Sequence, residues 1–392
     1  MPSIIFKVTG ARYLFCRICN RKFFGHDEIS CNKISGKVCF RNFSSFGPFF
    51  WHRICGALNQ GKNKPNFELV ISDYYLKLKE MLPEAQRNVL MKEHTSYKIG
   101  GPAKYFFIAR DKEGLISALE VAKDLNIPVY AIGGGSNILF SDKGYKGLVV
   151  KMNIDDTIFN GNMAKAGAGA GLSKLAYLAA DKGLSGLEWS AGIPSATVGG
   201  AIYGNAQAFD VKMSDTVKNV EALNLKTLKM KTFSKKQCQF SLKNSIFKKK
   251  KNLVVISVIL EFTKKDKKEI KKTIEQFLSY RKKGHPLKFF SAGSVFINPE
   301  LEIKDKKLLE KYPEFLKFNE AGIIPAGFLI QKSGLAGKKI GDAKISELHC
   351  NFIVNLGRAN AKDVISLIKL AQKKVKNNFG IHLETEIQFV GF

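Results

Sequence analysis

Val129-Tyr130-Ala131-Ile132-Gly133-Gly134-Gly135-Ser136-Asn137 is the stretch on which the fold turns: a short apolar run enters three consecutive glycines and two small polar residues. The apolar run reads as a strand, and the next one, Gly147-Leu148-Val149-Val150, reads as another. The glycines therefore join strand to strand. A dinucleotide fingerprint and a P-loop both need a helix directly after their glycines, so both are excluded. Three glycines let the backbone turn sharply and point successive N–H groups at an anion such as a pyrophosphate. Ser136 and Asn137 add short donors. A tight strand connection would use the same residues, so this loop alone does not decide between the two uses.

A second glycine-rich loop, Ala191-Gly192-Ile193-Pro194-Ser195-Ala196-Thr197-Val198-Gly199-Gly200-Ala201, runs on to Gly204-Asn205-Ala206. Small residues at this density let a flat ring lie directly on the backbone. A helix beginning near Thr197 would set its positive N-terminal end beside phosphate. Two such loops in one α/β stretch point to a bulky anionic cofactor held by Gly133, Gly134, Gly135, Ser136 and Asn137 from the first and by Gly192, Ile193, Gly199, Gly200, Ala201 and Asn205 from the second.

Working outward, residues 105–109 read as a buried strand and 112–125 as an amphipathic helix. Residues 164–170 form a small-residue strand followed by a helix over 172–182, and a long helix covers 361–376 before a final strand at 386–390. The chain of 392 residues is too long for one ordinary core, and it carries 45% hydrophobic and 25% charged residues, as soluble globular proteins do. No apolar run reaches the roughly 18–20 residues that a membrane span needs, and the N-terminus makes a poor secretory signal, so a cytoplasmic protein with no membrane partner is expected. The net charge of +29 is spread over many lysines, which argues against a nucleic-acid surface and for a general attraction to anions. Lys248 to Lys251 read as a solvated hairpin turn before a strand at 253–256.

Five of the seven cysteines (Cys16, Cys19, Cys31, Cys39 and Cys55) fall in the first 55 residues, which sets residues 1–80 apart as a Cys-rich extension. Cys16, Cys19, His26, Cys31 and Cys39 are soft enough for zinc, but the second pair has Cys-x7-Cys spacing and fits no finger pattern. No metal site is assigned. A disordered leader and a translation start placed too far upstream are the alternatives for this segment. His94, His349 and His382 are not spaced as a metal site or a triad, and His285-Pro286 reads as a turn.

Further motifs come in order along the chain: His94-Thr95-Ser96-Tyr97-Lys98-Ile99-Gly100-Gly101, Gly186-Leu187-Glu188, Ser291-Ala292-Gly293-Ser294-Val295-Phe296-Ile297-Asn298-Pro299, Gly334-Leu335-x-Gly337, His349-Cys350-Asn351-Phe352, and Leu383-Glu384-Thr385-Glu386. Together with the two loops they make residues from about 82 onward resemble the UDP-N-acetylenolpyruvoylglucosamine reductase (MurB) family. The resemblance implies an α+β protein with a two-lobed FAD-binding domain of the vanillyl-alcohol-oxidase (PCMH) type and a smaller α/β substrate-binding domain. The corresponding expectation is an FAD domain over 81–280 with its lobe boundary near 155, a substrate domain over 281–385, and a strand at 386–392 returning to the active site. It further implies FAD and NADPH as cofactors, a UDP-sugar enolpyruvate as substrate, and a monomer working in peptidoglycan precursor synthesis.

Carried over residue by residue, the resemblance makes Ser294 the proton donor and Glu386 the catalytic carboxylate. Glu384 remains open as the alternative, two residues away on the same strand face. A buried Glu386 that stayed protonated could hydrogen-bond an enolate. Where the family has Tyr-Arg-x-Ser-x-Phe, this chain has Leu242-Lys243-Asn244-Ser245-Ile246-Phe247, so Lys243 stands in for the arginine that contacts the substrate carboxylate. Lysine keeps the charge and loses the planar fork. The resemblance also gives Asn298 and the basic residues Arg281, Lys282 and Lys283 to the uridine diphosphate, although the lysines fit a solvated helix end equally well. The second loop is one residue longer than the family's Ile-Pro-Gly-Thr-Val, and Gln207 replaces a common glycine. Another flavin oxidoreductase of the same superfamily, a noncatalytic paralogue, and a basic nucleic-acid-binding protein are the competing readings.

Overall fold

The computed structural model describes residues 75–392 throughout and, of the earlier residues, five short strands: Val8–Thr9, Tyr13–Cys16, Arg21–Phe23, Ser30–Ile34 and Lys37–Arg41. The first three pair antiparallel, as do the last two. The zinc question posed by Cys16, Cys19, His26, Cys31 and Cys39 lies outside the described residues. Met1–Leu76 and Lys77–Phe392 form separate compact units, and both glycine loops belong to the second.

That unit begins with a four-stranded sheet. β1 (Gln86–Leu90) runs antiparallel to β2 (Pro102–Ala109). The helix α1 (Lys112–Asp124) crosses over to β3 (Val129–Ile132), and β5 (Tyr145–Met152) lies parallel between β2 and β3. Asp111 starts α1 as N-cap, its carboxylate accepting from the Gly114 N–H at 2.6 Å. Between β3 and β5 the structure inserts β4 (Ile138–Phe140), which leaves this sheet and pairs parallel with the C-terminal strand.

A five-stranded antiparallel sheet comes next, starting at Thr157. Its order is β6 (Thr157–Asn160), β7 (Met163–Gly167), β10 (Leu253–Glu261), β8 (Val217–Asn224) and β9 (Met230–Ser234). Helices α2 (Leu172–Ala180) and α3 (Val198–Gly204) are inserted after β7, and the one-turn helix α4 (Ile246–Lys249) precedes β10. Then α5 (Lys267–Gly284) packs Ile270, Ile274 and Leu278 against Ala180 and Ala191.

The remainder carries α6 (Ala326–Lys332), a small antiparallel sheet of β11 (Lys339–Ile340), β12 (Ala343–Ile345) and β13 (Ile353–Asn355), and the long helix α7 (Ala361–Phe379). It ends in β14 (Gln388–Val390), the partner of β4. One core unites these pieces, with Tyr97, Leu139, Val295, Phe315, Leu329, Leu367 and Ile387 all buried in it. Two polar ties fix the joint. The Tyr97 hydroxyl donates to the Ile353 carbonyl at 2.8 Å, and the Asn355 amide donates to the Tyr97 carbonyl at 3.0 Å. Asp142, just past β4, accepts from the Ala361 N–H and so covers the open donors at the start of α7. No helix among the described residues is long and apolar enough to cross a membrane.

Candidate active site

The two glycine loops touch, backbone against backbone. A Cβ on Gly134 would stand 1.4 Å from the Ser195 carbonyl oxygen, and one on Gly133 would stand 2.3 Å from Thr197 Oγ1. Gly135 takes a positive φ of 68°, with its would-be Cβ 2.2 Å from the His94 carbonyl. Gly133, Gly134 and Gly135 thus have no room for a side chain of their own where the loops meet. Ser96 then ties the first loop to the 291–299 segment: its N–H donates to the Gly135 carbonyl at 3.2 Å, and its hydroxyl donates to the Ser291 carbonyl at 2.8 Å. The sequence shows Ser96 only as one letter of a motif, with no role attached.

In the second loop Thr197 caps α3, its hydroxyl accepting from the Gly200 N–H at 3.4 Å. Ser195 adopts φ +55°, a conformation that glycine would enter without strain. Gly192 rests against Leu278 of α5, and its N–H donates to Ser173 Oγ at 3.1 Å. The Ile193 N–H goes to the Ser190 carbonyl. Gly199 is bare for packing: its Cβ would lie 2.7 Å from Ala168 Cβ. Ala201 is buried. Asn205, 2% exposed, is satisfied by protein on both sides of its amide, accepting from Ser214 N–H at 3.1 Å and donating to the Ser241 carbonyl at 3.0 Å. It positions the turn that carries Lys243. Asn137 likewise reaches the C-terminal segment, its amide donating to the Glu386 carbonyl at 3.3 Å.

Ser294 and Glu386 sit on paired segments. The Glu386 N–H donates to the Val295 carbonyl at 2.8 Å, the Ile297 N–H to the Glu384 carbonyl at 2.9 Å, and Phe296 bridges Thr385 antiparallel. Asn351, 3% exposed, clamps the same segment: Oδ1 accepts from the Phe296 N–H at 2.9 Å, Nδ2 donates to the Phe296 carbonyl at 2.8 Å, and its own carbonyl accepts from Val295. Asn351 too is visible in the sequence as part of a motif, without a place in the site. Ser294 is half-buried and follows Gly293, whose φ is +75° and whose Cβ would meet nothing within 4 Å.

Lys243 lies in a two-residue turn closed by reciprocal bonds between Ser241 and Asn244, with φ +49°. Its Nζ is 3.0 Å from Glu386 Oε1, and both side chains are mostly buried. Glu386 thus has an ammonium partner, which the sequence alone does not show. The reading of Lys248 as part of a solvated turn is corrected. Ser245 caps α4, so Lys248 falls on the half-buried side of that turn and donates from Nζ to the Lys243 carbonyl at 2.9 Å. Burial holds the Lys248 ammonium below the ordinary lysine range, with nearby Lys243 acting the same way and Glu386 and Glu384 opposing.

The three basic residues at the end of α5 separate. Lys282 and Lys283 are exposed, whereas Arg281 is 7% exposed, donates to the Trp189 carbonyl at 2.7 Å and covers the Phe209 ring. Asn298 turns its side-chain oxygen to the Ala326 N–H at 3.0 Å and so holds the start of α6. His285 packs against His349 and Phe352, and its pKa is pushed down to about 4 by burial first, then by His349 and Arg281.

Among the described residues no His, Cys, Asp or Glu group is arranged to hold a metal. What the chain does present fits a flat, phosphate-bearing cofactor: two glycine loops in close contact, Gly134 against the Ser195 backbone and Gly133 against Thr197, and open space at Gly293, the residue before Ser294. Fold and site together define a flavoprotein oxidoreductase, and residues 103–228 match the description "FAD binding domain". Residues 285–390 match "UDP-N-acetylenolpyruvoylglucosamine reductase, C-terminal domain". The chain is 37% identical to the reductase of that name from Anoxybacillus flavithermus, over 80% of this chain and 99% of that one. It is 39% identical to the one from Caldicellulosiruptor bescii, over 77% and 89%. The crystal structure of the Thermus caldophilus enzyme superposes with a TM-score of 0.63 at 32% identity, covering 78% of this chain and 98% of that one. The chain belongs to the UDP-N-acetylenolpyruvoylglucosamine reductase family, and its fold is the expected α+β arrangement with an FAD-binding domain of the vanillyl-alcohol-oxidase type.

Proposed function

We propose that this chain reduces UDP-N-acetylglucosamine enolpyruvate to UDP-N-acetylmuramate, using NADPH, with Ser294, Glu386 and Lys243 at the reacting centre. The observation that carries the proposal is the meeting of three distant segments: the Lys243 turn reaches Glu386, and the Glu386 segment pairs with the one bearing Ser294. When bound, FAD supplies the hydride that it has taken from NADPH. The residues of the chain provide the rest. The added hydride leaves negative charge on the carbon next to the substrate carboxylate. The Ser294 hydroxyl gives that carbon a proton and recovers one from solvent, so a hydrogen is added to each end of the double bond. A serine is a weak acid, and it serves here because the acceptor is strongly basic and held against it. The Glu386–Lys243 pair sets the local field, and Asn351 fixes the backbone on which Ser294 rides.

Gly133, Gly134, Gly135, Ser136 and Asn137, with Gly192, Ile193, Gly200 and Ala201, would hold the cofactor, while Gly199 and Asn205 shape the loop from behind. Asn298, Lys282 and Lys283 are proposed for the uridine diphosphate, the lysines because they are exposed and have no ion-pair partner among the described residues. A monomer and a cytoplasmic setting belong to the same proposal, the latter suited to a nucleotide-sugar substrate. The test is a two-stage titration of the full-length protein with bound FAD. NADPH should bleach the flavin without oxygen, and the enolpyruvate substrate should restore the colour with formation of UDP-N-acetylmuramate. Reduced flavin that ignores the substrate would overturn the proposal.

A further inference from the structure

We infer that the ammonium of Lys248, rather than that of Lys243, takes the substrate carboxylate, an inference that rests on the function proposed above. A lysine offers one nitrogen. That of Lys243 is committed to Glu386 at 3.0 Å, on a side chain held in place by a left-handed turn. Two N–H donors remain on that ammonium, but its charge is already matched by the Glu386 carboxylate, with which a second anion would have to compete.

Lys248 is the neighbouring cation. Its Nζ spends one donor on the Lys243 carbonyl at 2.9 Å, leaving two. It lies close enough to Glu384 and Glu386 to feel both, yet makes no ion pair within 4 Å of either. A half-buried ammonium without a carboxylate at contact distance is an incomplete arrangement, because desolvation is only partly repaid by a carbonyl. A carboxylate delivered by the substrate would complete it.

The residue is also rigidly mounted. α4 follows Ser245, which is fully buried and donates to the Tyr203 carbonyl at 2.8 Å; Ile246 and Phe247 are buried, and Asn205 holds the Ser241 carbonyl just upstream. A cation presented this way on a buried single-turn helix is preorganised for one partner. The negative charge that forms on the carbon next to the carboxylate in the reaction would feel the same ammonium.

The experiment compares two ligands that differ at the lactyl carboxylate: UDP-N-acetylmuramate, which carries it, and UDP-N-acetylglucosamine, which does not. Binding of each is followed on the FAD-loaded full-length protein by perturbation of the flavin spectrum. Lys248→Met is expected to weaken UDP-N-acetylmuramate by about tenfold or more while leaving UDP-N-acetylglucosamine unchanged. Lys248→Arg is expected to keep most of the preference, because it returns the charge to the same position while the Lys243–Glu386 pair stays intact. Retained flavin colour reports that each variant is folded. Equal loss for both ligands in Lys248→Met would reduce the residue to a support for the turn and overturn the inference. So would a Lys248→Met protein that keeps the full preference. A wild-type protein that does not distinguish the two ligands would instead overturn the proposed function itself.

Discussion

Lys243 Nζ and Glu386 Oε1 stand 3.0 Å apart with their side chains only 17% and 16% exposed, so the ion pair is shielded on both sides. Removing one member of a shielded pair costs more than the pair is worth, because the other charge is stranded. Lys243→Met should therefore slow turnover by about 10- to 150-fold, the range for losing one charge-assisted contact. Lys243→Arg keeps the charge on the same Cβ and should work at or above the wild-type rate. Steady-state kinetics on the two variants decide the matter, and an inactive arginine variant would remove Lys243 from the reacting centre.

Ser294 follows a glycine with open space above it, on a segment pinned by Asn351 and by the Glu386 N–H. The role proposed for its hydroxyl is proton donation, which a variant without the hydroxyl tests. Ser294→Ala should reduce the rate of flavin reoxidation by substrate by about 10²-fold or more, the usual reach of a positioned proton donor. Ser294→Cys should recover part of the rate. Stopped-flow traces of the reduced protein mixed with substrate report this step directly, and an alanine variant with wild-type reoxidation would mean that the proton comes from elsewhere.

Gly134 and Gly161 separate two reasons for a glycine. At Gly134 an added Cβ would fall 1.4 Å from the Ser195 carbonyl, and backbone cannot move aside cheaply there. At Gly161, φ is +61° but nothing lies within 4 Å, so only left-handed strain opposes alanine. Gly134→Ala should push the two loops apart and yield protein lacking flavin, whereas Gly161→Ala should purify yellow with a stability loss of about 1 kcal/mol. Absorbance at the flavin band against protein concentration is enough to tell. Full flavin content in Gly134→Ala would show that the loop contact is dispensable.

Much of this arrangement is legible in the sequence, and the exceptions have physical causes. The strand at 129–132 and the loop after it can be read because a four-residue apolar run ends abruptly in glycines. β4 cannot: three residues are too few to show a period, and its partner lies at the far end of the chain. The convergence of Lys243, Ser294 and Glu386 rests on motif resemblance, since no spacing along one element links them. Lys248 hides in a run of four lysines that looks solvated; the cap signal of Ser245 before Ile246-Phe247 turns that run into a helix with an inner side. Arg281 groups with Lys282 and Lys283 by charge, yet it continues the buried stripe of Ile270, Ile274 and Leu278 at helical spacing. Periodicity, not charge, separates it from its neighbours.

The half-buried imidazoles of His285 and His349 give the fold a pH dependence whose sign can be worked out. His285 titrates near 4 in the folded chain because burial foremost, and then His349 and Arg281, oppose its charged form. An unfolded histidine takes up its proton near about 6.5. Between these values unfolding binds a proton, so the contribution is complete at neutral pH and is lost as pH falls from about 6.5 toward 4. His349 is displaced in the same direction by burial and adds to the effect. Thermal unfolding followed at pH 7 and pH 5 should show a lower midpoint at pH 5, and His285→Gln, which cannot take up the proton, should narrow the difference. If the variant loses as much stability on acidification as the wild type, carboxylates elsewhere in the chain govern its acid sensitivity and His285 has no part in it.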